Sequence, residues 1–366
     1  MALFYHYLNT ITPNSKYENK LEEIINSILF DLKDKEIELS LSKGITGIAW
    51  LLCHFKKKNV LKISTSNLTH LDKLIANASK IEAAKKNIDL FSGIIGSSVY
   101  FTERFSSLNT KKNIQDVLNF LIYIKKEDKK GTRWLDYNLM VRSQSPKINE
   151  HLLLPELIYK EDCNLGLAHG IPAVLQVLSL FIKNDINNDK AFILLKNSLK
   201  WFLSIQNKKH PFFNNTLSGL KKVNAKLGWC YNDLSISLIL INIAIIINDE
   251  KLKLNAIKMA ESTTKININE ALVDDPFFCH GASGIAHIYN HIYQLTKQTV
   301  FFDAAIYWYD QLFIMLNDLN NNNFSKTKSL YPEGLLSGIS GVGLVLISSI
   351  SNQQLSWDKC FLINNE

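Results

Sequence analysis

The chain has 366 residues, 46% of them hydrophobic and 20% charged, with a formal net charge of +7; that composition supports a large apolar core. The positive charge lies in short runs such as Lys56-Lys57-Lys58 and Lys208-Lys209 without interleaved aromatics, so it reads as solvated surface and argues against a nucleic-acid groove. Five scattered cysteines, an odd number, point to a reducing compartment and away from a disulfide framework.

Taken in order, the opening residues Met1-Ala2-Leu3-Phe4-Tyr5-His6-Tyr7 lack a basic run and a sustained apolar core, so no signal peptide is expected. Short openings then precede apolar helices, one after another: Gly44-Ile45-Thr46-Gly47, Gly93-Ile94-Ile95-Gly96, Gly170-Ile171-Pro172-Ala173, Asn232-Asp233-Leu234-Ser235, Gly281-Ala282-Ser283-Gly284 and Gly338-Ile339-Ser340-Gly341. Between them lie amphipathic stretches with charged faces at 17–32, 71–85, 112–126, 190–206, 251–262 and 302–316. Residues 132–164 are the least periodic and carry short extended pieces at 134–141 and 151–158, and the asparagine-rich 317–323 reads as a surface loop. The most apolar run, 234–247, falls short of the roughly 20 residues that span a bilayer. It reads as a core helix, and the protein as cytoplasmic without stable membrane insertion.

Buried helices alternating with half-exposed ones fit two concentric layers, which predicts an all-α fold, an α/α toroid of about six helical hairpins by the pattern alone, forming one domain over residues 1–366. Inner helices of a toroid converge at one end, where glycine allows close approach and accepts unusual dihedrals. Chemistry is expected at that end. Cys279 and His280 are adjacent soft-metal ligands just before an opening, and Cys230 holds the same place before its own helix. His169 stands immediately before Gly170, as His280 does before Gly281, so the two are expected to face one central opening. His287 and His291, spaced i, i+4, fall on a helix flank away from the glycine end and read as structural, whereas Gly44, Gly47, Gly93, Gly96, Gly338 and Gly341 serve packing.

Five motifs in this order, Asp89-Leu90-Phe91-Ser92-Gly93-Ile94-Ile95-Gly96, Leu167-Ala168-His169-Gly170-Ile171, Trp229-Cys230-Tyr231, Cys279-His280-Gly281 and Gly338-Ile339-Ser340-Gly341-Val342-Gly343, resemble the lanthionine synthetase C-like (LanC) family from about residue 40 onward. The resemblance implies an α/α toroid, usually of seven helical hairpins and so six to seven here, with zinc held by Cys230, Cys279 and His280. It also implies that His169 is the catalytic acid/base, with Asp89 and Tyr231 at motif positions beside the chemistry. Lys226 stands where the lantibiotic cyclases usually have arginine, keeping the charge but losing the planar fork. Asn232 replaces a glycine and tolerates a left-handed backbone.

Three protein ligands leave a fourth zinc position open, as in catalytic sites, and a zinc-bound thiol is deprotonated outright. Two protein thiolates already neutralise the ion, so a further bound sulfur stays nucleophilic and attack on an electron-poor alkene is favoured. The enolate so formed needs a proton, which a histidine can deliver. The expected activity is a zinc-dependent lanthionine synthetase: a cyclase adding cysteine thiols of a precursor peptide, leader plus core, to its dehydroalanine or dehydrobutyrine residues. A separate dehydratase and a transporter are the expected partners, in a membrane-bound biosynthetic complex, with no nucleic acid. The rival readings are a relative that adds glutathione to dehydrated proteins, a non-catalytic binding protein on the same toroid, and a carbohydrate enzyme using Asp274-Asp275, a pair better read as a solvated loop.

Overall fold

Every expected opening starts a helix in the computed structural model, which describes residues 1–34, 38–105, 108–137, 162–186, 188–218, 226–321, 331–351, 353 and 355–365. In chain order the helices are α1 (Ala2–Ile11), α2 (Ser15–Asp34), α3 (Ile45–Lys57), α4 (Thr65–Ala84), α5 (Ile94–Glu103), α6 (Leu108–Ile124), α7 (Ile171–Lys183), α8 (Asn188–Ser204), α9 (Asp233–Ile246), α10 (Glu250–Thr263), α11 (Ala282–Thr296), α12 (Thr299–Asn321) and α13 (Ile339–Ile350). A 3-10 helix, Trp357–Phe361, follows α13. Among the described residues the one sheet is an antiparallel hairpin of β1 (Lys126–Asp128) and β2 (Gly131–Arg133). Gly131 is obligatory there: its φ of 131° disfavours a side chain, and a Cβ would lie 2.2 Å from the Asn197 carbonyl oxygen of α8.

The chain forms two compact units, Met1–Glu36 with Asn224–Ile241 and Glu250–Glu366, and Ile37–Val223 with Asn242–Asp249. In the second unit the helices after the glycine openings are α3, α5 and α7, and the charged-faced α4, α6 and α8 follow them. In the first unit α11 and α13 follow glycine openings, with α10 and α12 as their amphipathic counterparts. The difference is one of burial: α9 is buried at every residue from 233 to 244, whereas α12 turns Phe302, Ile306, Phe313 and Ile314 outward.

One hydrogen bond repeats at the five glycine openings. The residue after the glycine donates its N–H to the carbonyl seven residues back: Ile45 to Glu38, Ile94 to Asn87, Ile171 to Asn164, Ala282 to Asp275 and Ile339 to Pro332. This folds the preceding turn onto the glycine so tightly that a Cβ at Gly170 would lie 2.0 Å from the Asn164 carbonyl oxygen, and one at Gly281 2.4 Å from that of Asp275. These cap glycines have extended φ values, −139° and −109° for the two named, so close approach and not an unusual dihedral demands them. The unusual dihedral falls instead on Asn232, with φ 98°, at the opening that lacks a glycine.

Other expectations change. Residues 317–321 continue α12 and are not loop; asparagine is only a mediocre helix former, and the packed apolar turns before it carry the helix on. Residues 322–323, and the extended pieces at 138–141 and 151–158, lie outside the described residues. Trp134, at the start of the first piece, is buried with its indole N–H on the Leu121 carbonyl and belongs to no strand. Helix α1 went unforeseen; it buries Leu3 and Tyr7, and its Phe4 ring fills the space where a side chain at Gly343 would stand. Among the described residues no helix is long and apolar enough to cross a membrane.

Candidate functional site

The turns before the glycines are built by an asparagine or aspartate whose side-chain oxygen accepts the N–H two residues on: Asn87 from Asp89, Asn164 from Gly166, and Asp275 from Phe277. In the second unit this turn presents Asp89. One carboxylate oxygen, Oδ1, accepts the N–H groups of Phe91 and Ser92, both at 2.8 Å, and the Ser92 hydroxyl at 3.1 Å. The other, Oδ2, lies 2.5 Å from His169 Nδ1. Burial pushes the Asp89 pKa up, but the His169 hydrogen bond and charge and the two backbone donors outweigh it, so the group is held below the usual carboxylate range and stays ionised. An ionised carboxylate only accepts, which fixes the proton of His169 on Nδ1 and leaves Nε2 as the nitrogen that can act as base or, when protonated, as acid. The ring is partly exposed and meets the Phe91 ring edge-on, with centroids 5.6 Å apart.

The first unit brings together the cysteines. The Cys279 carbonyl accepts the N–H groups of Trp229 at 2.9 Å and Cys230 at 3.2 Å, and the Cys279 N–H donates to the Leu336 carbonyl at 2.9 Å. Loops before α9, α11 and α13 are thereby tied at one residue. Gly228 permits the contact, since a Cβ there would stand 2.7 Å from His280 Cα. A hydrogen bond with the Cys230 side chain, and then burial, pushes the Cys279 pKa up. His280 Nδ1 lies 3.0 Å from Asp275 Oδ2, and this hydrogen bond and the aspartate charge raise the imidazole pKa against the effect of burial. Asp275 therefore does two jobs, shaping the turn with one oxygen and orienting the histidine with the other. Sequence reasoning placed it in a solvated loop; its position six residues before a glycine, shared with Asn87 and Asn164, is the signal that identifies it.

Two thiols and an imidazole whose Nδ1 is held by a carboxylate, leaving Nε2 as donor, form a donor set that fits zinc, with the outer-shell partner such histidines ordinarily have. Lys226 donates to Asp274 and depresses its pKa, and its charge also acts on His280, so it is an ion-paired loop cation beside the cysteine group. Tyr231 is half-buried directly after Cys230. Cys53, Cys163 and Cys360 are buried, and burial drives the Cys53 thiol up to about 11, where it is inert.

Among the described residues, the donor group already gathered within 4.8 Å is a different one, His287, His291 and Asp358; Cys230, Cys279 and His280 are not gathered so closely. Both His287 Nε2 and His291 Nε2 lie 2.8 Å from the same Asp358 oxygen. All three are buried, and each contact is a good N–H···O hydrogen bond.

A family model described as lanthionine synthetase C-like protein matches residues 1–362. The chain is 23% identical over 360 residues to the nisin biosynthesis protein NisC of Lactococcus lactis subsp. lactis, covering 91% of this chain and 79% of that protein. Among solved structures it is similar to a nisin cyclase, with a TM-score of 0.74 at 20% identity over 100% of this chain and 90% of the other. It is also similar to a sugar epimerase from a ruminal bacterium, with a TM-score of 0.50 at 12% identity over 96% of this chain and 100% of the other. At such identities structural likeness carries the fold alone, and that fold is the expected all-α one, an α/α toroid.

Proposed function

The chain belongs to the lanthionine synthetase C-like family, and from that premise we propose that it is a zinc-dependent lanthipeptide cyclase, closing thioether rings in a dehydrated precursor peptide. The observation that carries the proposal is the junction at Cys279, whose carbonyl accepts the Cys230 N–H at 3.2 Å and whose neighbour His280 has its ring oriented by Asp275. Cys230, Cys279 and His280 would hold the zinc. When bound, it supplies a substrate cysteine with a deprotonated, still nucleophilic sulfur at neutral pH.

The remaining work falls to the chain's own side chains. As the sulfur bonds to the β-carbon of dehydroalanine or dehydrobutyrine, the alkene electron pair moves onto the α-carbon and its carbonyl oxygen. Protonated His169 delivers a proton from Nε2 to the α-carbon, and the thiol's own proton leaves to solvent, so the net change is addition of S–H across C=C. Asp89 keeps His169 in the tautomer that can recover that proton, and its negative charge stabilises the imidazolium. Lys226 supplies positive charge where negative charge develops, weakened by its partner Asp274, and Tyr231 borders the sulfur-binding group. The substrate implies a separate dehydratase as source of the alkene, with a transporter for the product, and the reaction is assigned to the cytoplasm.

Incubating the purified chain with a dehydrated, cysteine-containing precursor tests this. Thiol alkylation should fall by one label per ring while the peptide mass stays unchanged. A glutathione adduct in place of loss of the peptide's own thiols would assign the chain to the glutathione-adding branch, and no reaction with either would refute a thioether-forming role.

A further inference from the structure

The two cysteines of the proposed zinc group are each preceded by a large aromatic residue, and both aromatics rest on the same short segment, residues 355–363. The Trp229 indole N–H donates to the Phe361 carbonyl at 3.0 Å, and the Trp229 and Phe361 rings meet edge-on at 5.2 Å. Phe278 stacks on Phe361 with centroids 4.8 Å apart and meets Trp357 edge-on at 5.5 Å. Trp229, Phe278 and Trp357 are among the largest fully buried side chains of the protein.

The segment is itself fastened from three sides. Trp357 Nε1 donates to the Ser348 hydroxyl of α13 at 2.9 Å, the Asn364 amide closes back on the Leu355 carbonyl at 3.3 Å, and Asp358 accepts both His287 and His291 of α11. Helix α11 starts at the opening that carries Cys279 and His280, so the Asp358 contacts tie the segment to the same helix whose N-terminal end bears two of the three ligands. A buried carboxylate accepting two imidazole N–H groups is costly to break, because each partner left behind is buried and unpaired.

We propose that residues 355–363 act as a buckle that sets the spacing of Cys230 and Cys279 through Trp229 and Phe278, with Phe361 as the central positioning residue and the Asp358–His287–His291 group as its lock. None of these residues is among the ligands proposed above. Their effect is transmitted by one residue step in each loop, Trp229 to Cys230 and Phe278 to Cys279, and the inference rests on the zinc assignment above.

The test compares Phe361→Ala and Trp229→Phe with Leu312→Ala, which opens a cavity at a buried residue of α12 in the same unit. Zinc affinity is read by competition with a chromophoric chelator, and the cobalt-loaded forms by their sulfur-to-cobalt charge-transfer band, all well below each variant's Tm. Phe361→Ala and Trp229→Phe should weaken zinc by about ten- to a hundredfold, the range for losing outer-shell support, and should shift the cobalt band. Leu312→Ala should lower Tm without either change. Should Phe361→Ala fail to fold, Trp229→Phe, which keeps an aromatic ring while removing the indole N–H donor and part of the ring volume, carries the same test. Wild-type protein that binds zinc, with both buckle variants binding it as tightly and the cobalt band unmoved, would overturn the buckle alone; wild-type protein that binds none would overturn the zinc assignment first.

Discussion

Replacing Asp89 with asparagine isolates the tautomer control that the proposed chemistry requires. Oδ1 of Asp89 accepts two backbone N–H groups at 2.8 Å and a hydroxyl at 3.1 Å, so the asparagine must keep its oxygen there. Flipping the amide would forfeit those bonds, about 1 kcal/mol each, and set two N–H donors against an NH2 group. The NH2 then stands where Oδ2 was, 2.5 Å from His169 Nδ1. It can only donate, which forces the imidazole proton onto Nε2 and removes the lone pair meant to recover protons. The imidazolium also loses a charged hydrogen bond of about 1.5–3 kcal/mol. Together these should lower kcat for ring closure by about a hundred- to ten-thousandfold, the span contributed by general acid–base catalysis, with zinc content and circular dichroism unchanged. Single-turnover cyclisation of a dehydrated peptide, followed by alkylation and mass spectrometry, measures it. His169→Asn should lose as much, and the double variant little more, because the pair acts as one unit. An Asp89→Asn enzyme within twofold of wild type would refute the reasoning.

Three further outcomes follow from the same contacts. Asp275→Asn should weaken zinc by about ten- to a hundredfold through loss of the His280 partner, checked by equilibrium competition; an unchanged affinity would assign Asp275 to shaping its turn only. Lys226→Gln should slow cyclisation by about tenfold, less than the roughly hundred- to thousandfold cost of losing one unshared electrostatic donor because Asp274 already engages the lysine, and Lys226→Arg should restore the rate; equal rates for Lys226→Gln and wild type at saturating peptide would make it a surface ion pair. Burial lowers the His287 pKa, and although burial alone would raise that of Asp358, His291 and His287 hold it low. Both shifts mean the unfolded chain binds more protons, so the His287 contribution is full above about pH 6.5 and lost below it, and that of Asp358 is lost below about pH 3.9. The Tm of wild type should therefore fall relative to that of His287→Gln between pH 7 and 5, and parallel profiles for the two would contradict the assignment.

The helical plan was legible because burial imposes its period directly: a helix surrounded on all sides, such as α9, has to be apolar at nearly every position, and the crowding at the openings leaves glycine as the residue that fits. The reason for the glycines was less legible, since a carbonyl folded seven residues back leaves no mark of its own. Cys230, Cys279, His280 and His169 stood out through their repeated place before helices. Asp275 did not, because its neighbour Asp274 made the pair look like solvated charge, and only the parallel with Asn87 and Asn164 separates the two. His287 and His291 gave a metal-like spacing, but their partner Asp358 is far along the chain and no local pattern links them. Phe361 was illegible for the same reason: its contacts with Trp229 and Phe278 cross most of the first unit's sequence.

The central claim is that Cys230, Cys279 and His280 hold the zinc, and metal analysis of purified wild-type and Cys279→Ala protein tests it most directly, with Cys53→Ala as the control for a buried thiol outside the site. Wild type and Cys53→Ala should carry close to one equivalent, and Cys279→Ala should fall sharply, because removing one thiolate leaves two donors for an ion that needs at least three from the protein. A full equivalent in Cys279→Ala would contradict the account and move the metal to another donor group, with His287, His291 and Asp358 the first to examine.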